Sequence, residues 1–179
     1  MLTDSPSYCK YVAEFKLTTA SYLVLGLVEF AQPVTPYELK QLAADSVLNF
    51  WSLPHTQIYT QCDRLMEAGL LSEKREQTGR RRRSFSITKD GKKAMDAWRS
   101  DVDQVHMELR DMGLLKLFFG ADRKALAESQ LEAHRELLAK YEEVGEKYLE
   151  FMPEGQRRTL DQGLRFEREF MNFWKKQRE

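Results

Sequence analysis

Two pieces of sequence decide the fold: Trp51-Ser-Leu-Pro-His-Thr-Gln-Ile-Tyr-Thr-Gln-Cys-Asp-Arg-Leu-Met-Glu-Ala-Gly-Leu-Leu71 and, six residues on, Thr78-Gly-Arg-Arg-Arg-Arg-Ser-Phe-Ser-Ile-Thr-Lys-Asp-Gly91. Pro54 can open a helix running to about Ala68. In it Ile58, Cys62 and Leu65 fall at i, i+4 and i+7 with Met66 alongside, which gives a narrow apolar edge. His55, Gln57, Thr60, Gln61 and Arg64 fall elsewhere on the circumference. Gly69 supplies a left-handed stop. Leu70-Leu71 then begins a strand, Thr78-Gly79 makes a tight turn, and Ser84-Phe85-Ser86-Ile87 alternates as the returning strand. A helix with a polar outer face is thus followed by a two-stranded ribbon with an intensely basic tip.

Working outward, Thr18 or Thr19 caps a helix through Ala20-Ser21-Tyr22-Leu23-Val24-Leu25-Gly26-Leu27-Val28-Glu29-Phe30, apolar on most sides and so central to a core. Gln32-Pro33-Val34 is a turn. Thr35-Pro36 offers a cap with proline at the first helical position, where its missing N–H costs nothing, and Tyr37, Leu39 and Leu42 line the helix that follows. Trp51 reads as a core anchor. Beyond the ribbon, Thr88 caps a helix in which Met95, Trp98, Val102, Val105, Leu109 and Met112 make a heptad-like stripe that calls for a partner helix. Gly113 interrupts it, and Gly120 with Asp122 marks a stop and a start. A long helix carrying Leu126, Ala133, Leu137, Tyr141, Val144 and Tyr148 ends at Pro153-Glu154-Gly155. The last helix buries Leu160, Leu164, Phe170, Met171 and Trp174. The fold class is mainly α with a small β-hairpin: a winged helix-turn-helix over 18–95, followed by an antiparallel helical dimerisation domain over 96–179. Residues 1–17, with Tyr8, Val12 and Phe15 at helical spacing, form an N-terminal extension.

The net charge of zero hides an uneven layout: residues 73–93 hold nine basic groups and three acidic ones, a local +6, and the helical half carries a compensating excess of acid. A membrane span is excluded by an apolar run, 22–28, far short of the ~20 residues needed, and with no signal pattern the expected location is cytoplasmic. Cys9 and Cys62 are far apart with no histidine pair nearby, so neither a disulfide framework nor a metal site is expected. No nucleophile elbow, phosphate loop or HExxH points to an enzyme, and no cofactor is implied.

The chemistry that remains suits duplex DNA. A helix in the major groove needs side chains that donate and accept at base edges, and His55, Thr56, Gln57, Thr60 and Gln61 supply them, with Arg64 a turn further on. Arg80, Arg81, Arg82 and Arg83 repel one another unless an anion neutralises them, and phosphate or a narrow minor groove does so; Lys74 and Arg75 extend this basic wing. Tyr37 and Tyr59 fit either a hydroxyl on phosphate or an ordinary buried hydrogen bond. Trp98, Phe118, Phe119 and Trp174 fit plain packing or the lining of a small-molecule effector pocket. His106 and His134 read as structural or surface groups.

In order and spacing these residues resemble the PadR-type transcriptional regulators. The resemblance lies in Tyr22-Leu23-Val24-Leu25-Gly26-Leu27, Tyr37-Glu38-Leu39, Phe50-Trp51-Ser52, Ile58-Tyr59, Arg64-Leu65, Gly69-Leu70-Leu71, Gly79-Arg80-Arg81-Arg82 and Ile87-Thr88-Lys89-Asp90-Gly91. It continues in Leu114-Leu115-Lys116-Leu117-Phe118-Phe119-Gly120, which looks like the opening of that family's longer C-terminal helical domain. Pro36 departs from it, standing where many members have glycine. The resemblance implies a homodimer, usually a repressor, that binds a palindromic operator and releases it on binding a small molecule. A regulator that senses no ligand and acts through its abundance or a protein partner is the alternative.

Overall fold

The computed structural model describes residues 16–77, 82–102 and 108–179, with the backbone alone at His55. The expected N-terminal helix, Cys9, the Thr78-Gly79 turn, Arg80, Arg81, Val105 and His106 lie outside the described residues. The chain divides into two compact units, Met1–Gln104 and Val105–Glu179, against an expected boundary at 95. Among the described residues no helix is long and apolar enough to cross a membrane.

In the first unit α1 (Thr19–Ala31) is the central post. Thr18 and Ser21 close a reciprocal capping box at its start, and Val24, Leu25, Leu27 and Val28 are buried. α2 (Pro36–Asp45) opens the same way: Thr35 Oγ1 accepts from the Glu38 N–H, and Glu38 Oε2 accepts from the Thr35 N–H at 2.8 Å. Two orphan donors of the first turn are thereby satisfied. A 3-10 turn, Val47–Asn49, leads to α3 (His55–Glu67), which buries Ile58, Cys62 and Leu65 as their spacing predicts. Its end is a Schellman motif: Gly69 (φ 74) donates to the Met66 carbonyl, and Leu70 donates to that of Leu65. That double closure needs a left-handed residue at Gly69.

β1 (Leu71–Arg75) pairs antiparallel with β2 (Arg83–Ile87), Leu71 opposite Ile87 and Arg75 opposite Arg83. The hairpin is anchored at its root. Val34 exchanges two backbone hydrogen bonds with Phe85, at 3.1 and 2.8 Å, and Gln32 Oε1 accepts from the Ile87 N–H at 2.9 Å. This one-residue third rung was not evident from the sequence, because only Val34 and Thr35 stand between Pro33 and Pro36, too short a run to read as a strand. α4 (Lys89–Ser100) follows with Thr88 as its cap and sets Met95 into the core.

Two expectations need correction here. Trp51 is 46% exposed, and Leu53, two residues on, takes the core position; the chain leaves the 3-10 turn with Phe50 and Trp51 outward. The heptad stripe is not one helix either. α4 ends at Ser100, whose hydroxyl donates back to the Asp96 carbonyl at 2.8 Å, and Asp101 is extended (φ −73, ψ 114). Ser and Asp compete with the helical ladder in this way. Met95 is therefore buried in the first unit, while Val102, Leu109 and Met112 are exposed.

In the second unit α5 (Met112–Phe118) is capped by Asp111, α6 (Arg123–Tyr148) by Asp122, and α7 (Glu154–Gln177) returns after a 3-10 turn, Leu149–Phe151. Arg123 reaches Gln177, His134 reaches Glu167, and Glu142 reaches Arg168, so α6 and α7 run antiparallel. Ala127, Leu131 and Trp174 form the buried cluster, with Leu114, Leu117, Phe170 and Phe173 packed around it. His134 stacks on Phe170 at 5.0 Å while Nδ1 meets Glu167 at 2.6 Å.

Candidate nucleic-acid interface

α3 presents the polar face. With Ile58, Cys62 and Leu65 inward, Thr56, Gln57, Tyr59, Thr60 and Arg64 are exposed. Gln57, Thr60 and Arg64, at spacings of three and four, share one ridge. The Thr60 hydroxyl donates to the Thr56 carbonyl at 3.2 Å, which leaves its oxygen available as an acceptor. The Gln57 N–H bonds the Pro54 carbonyl at 2.9 Å, closing the first turn. His55 opens the helix, and its side chain lies outside the described residues.

Gln61 departs from the expectation. It is 6% exposed, and its Oε1 accepts from the hydroxyl of Ser21, itself fully buried, at 2.9 Å. Position 61 stands three past Ile58 and four before Leu65, so it lies on the inner edge. The side chain ties α3 to α1 through a satisfied buried hydrogen bond and is not on the exposed face.

The wing has two faces. Lys74 is exposed and pairs across the ladder with Ser84, and Arg82 is exposed, its carbonyl accepting from the Glu76 N–H at 3.0 Å. Glu73, Arg75, Arg83 and Phe85 share the other face. There the Glu73 carboxylate accepts from both Arg75 and Arg83, and Arg83 also reaches Asp63 on α3 at 2.6 Å. Arg83 is thus already paired with acid, unlike the free cation its place in the arginine run suggested. Asp63 and Glu73 are the members sequence reasoning missed; a lone acid on a polar helix face ahead of four arginines was the available signal.

Hydrogen bonds from Arg75 and then Arg83 hold the Glu73 carboxyl below the usual range, and bonds from Thr35, with the Arg82 charge adding less, do the same for Glu38. Because both are depressed in the folded chain, what they stabilise is present above the ordinary carboxylate range and is lost as pH falls through their folded values. Burial pushes the Cys62 thiol up to about 12, so at neutral pH it is an inert core group.

Tyr37 is exposed on the first turn of α2, its hydroxyl accepting from Gln41 Nε2 at 3.3 Å, and Tyr59 is exposed on α3. The four aromatic effector candidates fare differently from one another. Trp98 stacks on Tyr22 at 5.0 Å in the first unit. In the second, Trp174 is closed in the core while Phe118 and Phe119 are exposed, edge to face at 5.2 Å.

Residues 24–97 match the transcriptional regulator PadR-like family. The chain is 23% identical over 100 residues to the negative transcriptional regulator PadR of Bacillus subtilis (strain 168); the match spans 55% of this chain and 54% of that protein, about half the length of each. Among solved structures, Bacillus subtilis PadR in complex with operator DNA is similar at a TM-score of 0.76 and 21% identity, covering 89% of this chain and 96% of that one. The same protein in complex with p-coumaric acid is similar at 0.69 and 20%, covering 87% and 94%. At these identities the structural likeness is one of fold.

Proposed function

From a chain that carries a PadR-like transcriptional-regulator domain over residues 24–97, we propose a homodimeric, sequence-specific DNA-binding repressor that a small molecule releases from a palindromic operator. The observation that carries this reading is the exposed ridge of Gln57, Thr60 and Arg64 on α3, beside a wing whose Lys74 and Arg82 are exposed. Hydrogen-bonding side chains on a helix that fits the major groove supply base readout, and the basic ribbon supplies phosphate affinity. The names of the similar proteins support both halves: a negative regulator, solved once with operator DNA and once with p-coumaric acid.

The test uses duplexes selected from a random library, with an unselected duplex as the reference. Arg81→Ala with Arg82→Ala weakens binding to both and flattens the salt dependence by about 0.9 per lost phosphate contact. Gln57→Ala lowers the preference for the selected duplex and leaves the salt slope intact. Adding p-coumaric acid to the same assay probes release. A wild-type chain that binds no duplex more tightly than about 10⁻⁴ M at physiological salt overturns the reading.

Dimerisation is supported by the exposed apolar side chains of the second unit, among them Met112, Leu115, Phe118, Phe119, Leu149 and Phe151. Exposed apolar groups of this kind are what a second copy of the chain would cover. Two recognition helices then address half-sites about one duplex turn apart. Sedimentation at micromolar concentration is expected to give a dimer, and a monomer there removes this part.

A further inference from the structure

Arg83 joins three elements. It opens β2, and its guanidinium carbon lies 5.2 Å over the ring of the fully buried Phe85. From that position Nη2 donates to Asp63 Oδ1 on α3 at 2.6 Å and to Glu73 Oε2 on β1 at 2.9 Å. Nε is buried and has no hydrogen-bond partner among the described residues. The guanidinium is therefore half withdrawn from water and aimed at two carboxylates, which is a poor arrangement for binding phosphate.

We propose that Arg83 is the clasp that fixes the wing to the recognition helix, and that Asp63 serves DNA binding as the helix-side half of that clasp. The inference rests on the DNA-binding reading above. A two-stranded ribbon is marginal by itself, and β2 is bridged to Val34 at its middle residue, Phe85, so a small turn about that bridge displaces the Arg83 end of the wing by an amount that grows with about 3.4 Å of arm per residue. That displacement separates a wing that meets the duplex while α3 lies in the groove from one that does not. The bridge at Val34 holds one edge of the hairpin; the Arg83–Asp63 bond holds it directly to α3.

The clasp makes a prediction opposite in sign to that of charge alone. Asp63 is a negative charge on the proposed DNA face, so by Coulomb's law its neutralisation tightens binding to phosphate. If it positions the wing, Asp63→Asn weakens binding to the selected duplex by about tenfold, the size expected for losing one charge-assisted hydrogen bond. Arg83→Gln weakens it similarly with no change in salt slope, because no phosphate contact is lost. The double variant is no weaker than either single one.

Backbone hydrogen exchange of the free protein over residues 71–75 and 83–87 gives a readout without DNA, and both single variants are expected to speed it. Tighter binding on Asp63→Asn, a fall of about 0.9 in the salt slope on Arg83→Gln, or unchanged exchange in both strands overturns the clasp. A wild-type chain that binds no duplex, with exchange still faster in both variants, upholds the tie between wing and helix and overturns the DNA reading instead.

Discussion

Gly91→Ala is expected to lower the melting temperature of the chain by roughly 5–10 °C, although helix propensity argues the other way. Gly91 is the third residue of α4, where alanine ordinarily gains about 0.5–1 kcal/mol over glycine. A Cβ built there, however, lies 2.3 Å from the Leu70 carbonyl oxygen and 2.7 Å from Ile87 Cγ1. The Leu70 carbonyl cannot readily retreat, because it accepts from the Thr88 N–H at 3.1 Å and shares the Thr88 hydroxyl proton, at 3.1 Å, with the Gly69 carbonyl at 2.8 Å. Moving it breaks the cap of α4 and disturbs the start of β1 together. Overpacking of this kind costs about 2–3 kcal/mol, more than propensity returns. Gly155 is the control: it too lies in the first turn of a helix, but nothing stands within 4 Å of its would-be Cβ. Gly155→Ala is expected to raise the melting temperature by a few degrees at about 0.5 kcal/mol. Circular dichroism melts of both variants decide the matter; a Gly91→Ala chain that melts at or above wild type removes the close-packing argument.

Elements whose start and stop are local were legible. Thr18, Thr35 and Thr88 cap helices through bonds three residues long, Gly69 ends α3 by its own backbone, and the spacing of Ile58, Cys62 and Leu65 sets which edge of α3 is buried. The failures share a cause as well. Whether α4 continues past Ser100 depends on what its apolar stripe packs against, and apolar periodicity alone cannot say that the stripe is divided between Met95, which is buried, and Leu109 and Met112, which are exposed. Tryptophan is usually buried, yet Trp51 is 46% exposed. Which of Trp51 and Leu53 faces the core is set by the path out of a 3-10 turn, and composition does not encode that path.

The candidate site divides along the same line. Thr56, Gln57, Thr60 and Arg64 could be placed on the outer face of α3 from spacing alone. Gln61 could not, because it and Cys62 both fall within the inner arc and polarity pulled the glutamine outward; only Ser21, forty residues away, shows what its amide oxygen is for. Arg83 differs from its neighbours in the same way. A run of like residues invites one role, but alternation along a strand turns successive side chains to opposite faces, and the one that meets Asp63 and Glu73 is already neutralised.

Trp174→Ala is expected to remove about half of the stability of the second unit, whereas Trp174→Phe is expected to be nearly silent. Trp174 is fully buried, and with Ala127 and Leu131 it makes up the closed core onto which Leu114 and Leu117 of α5 pack. Truncating such a side chain to alanine costs about 3–5 kcal/mol. At about 0.1 kcal/mol per residue, a unit spanning Val105–Glu179 has on the order of 7 kcal/mol in all, so roughly half of its stability goes with the indole. The phenylalanine variant loses apolar area but also removes a penalty, since the Trp174 Nε1–H is buried without a hydrogen-bond partner among the described residues and an unsatisfied donor costs about 1–3 kcal/mol. The two contributions nearly offset, and the net change is expected within about 1 kcal/mol. Urea unfolding of both variants measures the difference, and sedimentation of the alanine variant beside wild type shows whether the α5 packing bears on the proposed dimer. Comparable destabilisation by phenylalanine and alanine sinks the argument, for it means that the indole N–H has a partner in solution whose loss costs as much as the emptied space.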